Sequence, residues 1–198
     1  MKRTALVLLL LLGGSAVQAQ DLKVDRVCDV EVREPSDLWN ADRYSVRWTH
    51  WLPDRASVAI YSHIYDEHDR YHFEEEGAFS RWSNNSFIVS PKTRRTNGRL
   101  WARLAAGERV LAPQEVSRSK GFYGIARFKA DEVHAMIEGA EELTVTFYDQ
   151  KQAVIEQFTV PRPTIETGAA RMGSVYQEYR TRLAEPETRC GSEIIFNP

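Results

Sequence analysis

Stretch after stretch of this chain alternates its side chains with a period of two, and that pattern commits most of its length to β-strands. Val24, Arg26, Cys28, Val30 and Val32 share one parity. Tyr44, Val46, Trp48 and His50 alternate with Ser45, Arg47 and Thr49. Val58, Ile60, Ser62 and Ile64 alternate with Ala59, Tyr61, His63 and Tyr65. Aromatic and β-branched residues dominate these runs, as a half-buried pleated surface requires. Further strands are predicted over residues 87–89, 99–104, 122–128, 143–148 and 154–160.

Turn chemistry predicts how neighbouring strands join. Residues 66–69, Asp-Glu-His-Asp, read as a four-residue loop between two strands. Asn97-Gly98 reads as a two-residue hairpin, because both residue types accept positive φ. Residues 149–152, Asp-Gln-Lys-Gln, read as another four-residue loop, and Pro161 and Pro163 end the strand that follows. Ala130, Val133 and Ile137 define a short helix with Gly139 just past its end. Met172, Val175, Tyr176, Tyr179 and Leu183 form one apolar stripe on a helix over residues 169–184, closed by Pro186. The predicted fold is mainly β: an antiparallel β-sandwich or curled sheet, with a short helix and a C-terminal helix packed on it.

The N-terminus sets the compartment. Lys2 and Arg3 precede an unbroken apolar run over residues 5–12, then Gly13-Gly14-Ser15, then Val17-Gln18-Ala19 with small residues placed for cleavage. That is the pattern of a secretory signal peptide over residues 1–19, leaving a single β-rich domain over 20–198. The run is shorter than the roughly 20 residues of a membrane span. No cysteine sits at the cleavage site, so a periplasmic or secreted protein is expected, not a lipoprotein and not membrane-spanning after cleavage. The two cysteines, Cys28 and Cys190, are then expected to pair as a structural disulfide.

Charge is nearly balanced over the whole chain, with 26 basic and 28 acidic residues, and removal of Lys2 and Arg3 tips it further to the acidic side. Nucleic acid is not the expected partner. The basic residues are concentrated, however, between Lys92 and Lys129. With Asn97-Gly98 as the turn, Lys92, Arg94, Arg99 and Arg103 share a face around Trp101. A cationic face about an indole suits an anionic glycan, lipopolysaccharide or an envelope protein.

A second candidate is histidine-rich. If residues 66–69 are a loop, His63 and His72 become a cross-strand pair, close to Asp66, His68 and Glu74. Two imidazoles with a carboxylate could ligate a transition metal; no other cofactor is implied. Hydrolase motifs fail. Ser117-Arg118-Ser119-Lys120 matches S-x-x-K, but Ser83-Asn84-Asn85 and Lys92-Thr93 stand in the wrong order, and no G-x-S-x-G occurs. Trp39, Trp48, Trp51 and Trp82 are expected to pack in the core or along sheet edges.

One stretch has a familiar order. A strand carrying Arg127-Phe128 leads to a short helix with Met136 and Ile137. A strand with Leu143-Thr144-Val145 follows, then a hairpin with Phe158, a helix and a cysteine. This C-terminal third resembles exported bacterial proteins of the invasion-associated locus B family. The resemblance implies a secreted β-rich module without established catalysis, and it assigns no site residues. The expectation is therefore a non-catalytic binding or interaction protein of the bacterial envelope. The alternatives are a metal-binding periplasmic protein and an inhibitor of an extracellular hydrolase.

Overall fold

The structure, a computed structural model, describes residues 30–33, 44–82, 84–93 and 98–181. The segment predicted as a signal peptide, Cys28, Trp39, Arg94, Asn97 and Cys190 lie outside the described residues. So does the first predicted strand up to Val30. The expected mainly β class holds, with antiparallel sheets and a C-terminal helix packed on strands; the described residues form three helices, one more than predicted.

The first sheet carries strands β1 (Val30–Arg33), β2 (Tyr44–Trp51), β3 (Ser57–Ile64) and β4 (Ser86–Ser90), each antiparallel to the next. Helix α1 (Glu67–Glu76) lies between β3 and β4 in sequence. The second sheet begins with β5 (Leu100–Ala106), which the short strands β6 (Arg109–Val110) and β7 (Gln114–Glu115) border. A small hairpin follows, β8 (Arg118–Ser119) and β9 (Phe122–Tyr123). Strand β10 (Ala126–Lys129) returns to pair with β4. After α2 (Ala130–Ile137), β11 (Glu142–Asp149) pairs with β5 and with β12 (Val154–Pro161), and α3 (Arg162–Thr181) closes the order.

Alternation places one face of each sheet in a common core. Val46, Trp48, Val58, Ile60, Phe87 and Val89 come from the first sheet, and Leu100, Leu104, Val145 and Phe147 from the second. Helix α3 adds Ile165, Ala169, Met172 and Tyr176, one stripe of its surface. It starts at Arg162, earlier than the stripe predicted, because Pro163 is tolerated in a first turn, where its missing N–H has no partner to lose. Gly168 lets the helix approach closely: a Cβ there would fall 2.1 Å from Cε2 of Trp48.

The turn readings divide. The β11–β12 hairpin forms as predicted, with Asp149 Oδ1 accepting from the amides of Lys151 (2.8 Å) and Ala153 (3.0 Å). Residues 66–69 are not a hairpin loop. Asp66 is the N-cap of α1, its Oδ1 accepting from the amides of His68 (2.8 Å) and Asp69 (2.9 Å). Asp69 Oδ2 reaches back to the Tyr65 amide at 3.2 Å. The Asp-x-x-Asp spacing satisfies backbone donors at a helix start, and this local bonding overrides the strand-like sequence beyond it.

The strands that a hairpin across 97–98 would join, β4 and β5, do not pair, while Asn97 itself lies outside the described residues. Strand β4 pairs with β3 and β10, whereas β5 pairs with β11, β6 and β7, so the chain crosses from one sheet to the other between them. Burial of Leu100, Ala102 and Leu104 against the second sheet outweighs a local turn preference. A two-residue turn with both residues at positive φ occurs instead at Lys120 (48°) and Gly121 (79°), between β8 and β9.

Candidate binding surfaces

Strand β5 turns Trp101 and Arg103 away from the core, because Leu100, Ala102 and Leu104 occupy the inner parity. Arg99, just before the strand, has the same parity. Register then brings Tyr148 of β11 opposite Trp101. The two rings stack with centroids 6.3 Å apart and planes 18° from parallel. The Arg103 guanidinium lies 5.8 Å from the Tyr148 centroid. Arg99 Nε is 3.5 Å from Glu115 Oε1, and Glu115 pairs with Trp101 from the other side. The result is an exposed cationic face around a half-buried Trp101, with Tyr148 buried beneath it at 6% exposure.

Three of the five predicted residues therefore remain together. Lys92 does not join them. Its amide donates to Glu156 Oε1 (2.9 Å) and Oε2 (3.0 Å), and its Nζ lies 3.4 Å from Asp54. The residue opposite Arg103 is Thr146, not Lys92, because β5 pairs with β11. Arg94 lies outside the described residues. Tyr148 was missed because only a pairing across more than forty residues of sequence places it there, as the register of β5 and β11 records.

The proposed His63–His72 strand pair is overturned by the same helix that replaces the 66–69 loop. His63 is on β3, opposite Ser45, with Nδ1 3.5 Å from the Tyr61 hydroxyl. His72 is on α1, its Nδ1 3.1 Å from Glu76 Oε1. It stacks on Trp82 at 5.7 Å and meets His68 edge-on at 4.4 Å. Among the described residues, no group of three or more His, Cys, Asp or Glu side chains is arranged to hold a metal ion.

A region that sequence reasoning left unassigned holds a concavity. An open cleft of about 610 Å³ lies between the end of α1, the loop after it, α2 and α3. Its walls include Glu76, Phe79, Arg81, Asp131, His134 and Glu166. Gly77, at φ 77°, ends α1 by donating its amide to the Phe73 carbonyl. The loop is then held from several sides. Asn85 Nδ2 donates to the carbonyls of Ala78 (2.8 Å) and Ser80 (3.2 Å). Ser80 Oγ donates to Glu76 Oε2 at 2.9 Å and accepts from the Trp82 amide at 3.2 Å. On the far wall the His134 ring lies parallel to Phe79, 4.4 Å between centroids and 4° between planes.

The Ser80 hydroxyl, above all, holds the Glu76 carboxyl below its ordinary value; desolvation opposes that, and His72 and Arg81 reinforce it. The chain of contacts runs Ser80–Glu76–His72. The carboxylate stands between hydroxyl and imidazole, so this imidazole is not placed to take the serine proton, as a nucleophilic triad demands. Ser117 is structural too: its Oγ accepts from the Ile125 amide at 3.0 Å in the β8–β9 region. Trp82, expected to pack inside or on an edge, is 56% exposed, and Trp51 is 47% exposed. Trp48 is buried, as expected.

No family model, curated protein or solved structure matches the chain. Among the described residues, no helix is long and apolar enough to cross a membrane.

Proposed function

We propose that this is an exported, non-catalytic binding protein of the bacterial envelope that recognises an anionic component, a glycan or lipopolysaccharide, through Arg99, Trp101 and Arg103, with Tyr148 positioning the last two. The carrying observation is the Arg103 guanidinium held over Tyr148 while Trp101 stacks beside it. Trp101 gives the contact area, Tyr148 backs it from below, and the guanidinium groups supply charge and forked donors for carboxylate or phosphate. The apparent secretory leader and the resemblance of the C-terminal third to the invasion-associated locus B family support the location.

Lipopolysaccharide and a sulfated dextran serve as probes. Binding should weaken as salt rises, since exposed charges are screened within about 10 Å at 0.1 M ionic strength. Replacing Arg99 and Arg103 together with Glu should lower affinity by about tenfold or more. Undiminished binding by that double variant would remove this face from consideration.

A further inference from the structure

We infer that the cleft beside Trp82 is a second binding site, and that it takes a neutral saccharide. Its volume of about 610 Å³ falls in the range of small-ligand sites, roughly 300–1,000 Å³. Its chemistry differs from that of the cationic face. Carboxylates of Glu76, Asp131 and Glu166 line it with the guanidinium of Arg81, Glu166 also meeting Arg162 Nη1 at 3.2 Å. A polyanion attracted to Arg99 and Arg103 would be repelled here. Sugar hydroxyls, by contrast, suit carboxylate acceptors and a guanidinium donor, which bind in pairs across adjacent hydroxyls.

The apolar half of such a ligand also has its counterpart. A pyranose has a face of C–H groups that packs on aromatic rings. Phe79 and His134, stacked on each other, both line the cleft, and Trp82 adjoins the lining residue Arg81 from just outside it. The Trp82 indole is majority exposed, yet its backbone is fixed through Ser80 and its ring is flanked by His72 and, at 5.1 Å, by Arg81. A ring held in place and left in water is preorganised for a partner, because its ordering cost is already met. Glu76 is oriented in the same way, by Ser80 on one oxygen and His72 on the other.

Calorimetric titration of the purified chain with chitotetraose, cellotetraose and maltotetraose tests this, with putrescine as a cationic comparison. At least one tetrasaccharide should bind, with an affinity that high salt leaves unchanged. Trp82→Ala and His134→Ala, both at exposed positions, should each weaken that binding by about fivefold or more. The Arg99→Glu/Arg103→Glu variant should retain it, so failure of the cationic face and failure of the cleft are read separately. Binding of none of the three sugars, binding of putrescine alone, or saccharide affinity undisturbed in Trp82→Ala would each overturn the assignment.

Discussion

The Trp101–Tyr148 face and the Trp82 cleft both set aromatic rings beside charged groups, but strand pairing builds the first and chain termination builds the second. On the face, each side chain is placed by a ladder of backbone hydrogen bonds, and every second residue must point outward. In the cleft, a helix stops at Gly77, a loop is tied by Asn85 and Ser80, and two other helices lend the facing walls. The face is therefore flat and cannot close around a ligand. The cleft is concave, and its geometry depends on a few side-chain bonds. A sheet supplies area cheaply; concavity requires elements that end.

That difference can be broken most forcefully at Gly168. Gly168→Ala drives a methyl into Trp48 and should cost about 3 kcal/mol, seen as a lowered midpoint in chemical denaturation. Hydrogen exchange should show α1 and α3 losing protection before β5 and β11. Equal loss in both regions would mean that the face and the cleft are one cooperative unit. Asp66→Ala removes the α1 cap and should cost about 1.5 kcal/mol by the same denaturation measurement. Ser80→Ala should cost about 1 kcal/mol, because it leaves Glu76 and the Trp82 amide without their shared partner. Its fluorescence should also change as the Trp82 indole loses its fixed position, while the Trp101 face keeps its polyanion affinity.

The smallest effect is acidic. The carboxyl of Glu76 has a lower pKa folded than unfolded, chiefly because Ser80 donates to the charged form. Its contribution is complete above the ordinary carboxylate range and is lost as pH falls through the folded value. Glu76→Gln should therefore flatten the acid limb of a plot of stability against pH, and leave the neutral region with a smaller offset. An acid limb of unchanged steepness would show that the Ser80–Glu76 bond does not bias the protonation of that carboxyl.

Sequence made the strands legible because alternation is a local property. Val58, Ile60 and Ile64 declare the inner face of β3 without reference to any partner. The β11–β12 turn was legible for a similar reason: Asp149 binds amides only two and four residues away. Pairing between distant strands was not. Asn97-Gly98 advertised a hairpin, yet the apolar side of β5 joins β11 far along the chain. Alternation also misled where a helix cap interrupted it, since Asp66 and Asp69 look like turn residues until their bonds to amides are seen. That error carried into the histidine pair, whose geometry existed only in the wrong register. The cleft had no local signature, because its walls come from α1, α2, α3 and a loop.

Glu156 bears on how this molecule avoids its own kind. It sits on β12, the outermost strand of the second sheet, and accepts the amides of Lys92 and Thr93 as they leave the first. An outermost strand is a template on which another chain can crystallise its own backbone. Here a charged side chain and a crossing segment occupy that approach, and α3 lies against the same strand. The carboxylate that fastens one sheet to the other is thus also a charge placed on an edge strand, the kind of residue that discourages edge-to-edge pairing, beside Val154 and Ile155, which are open to water.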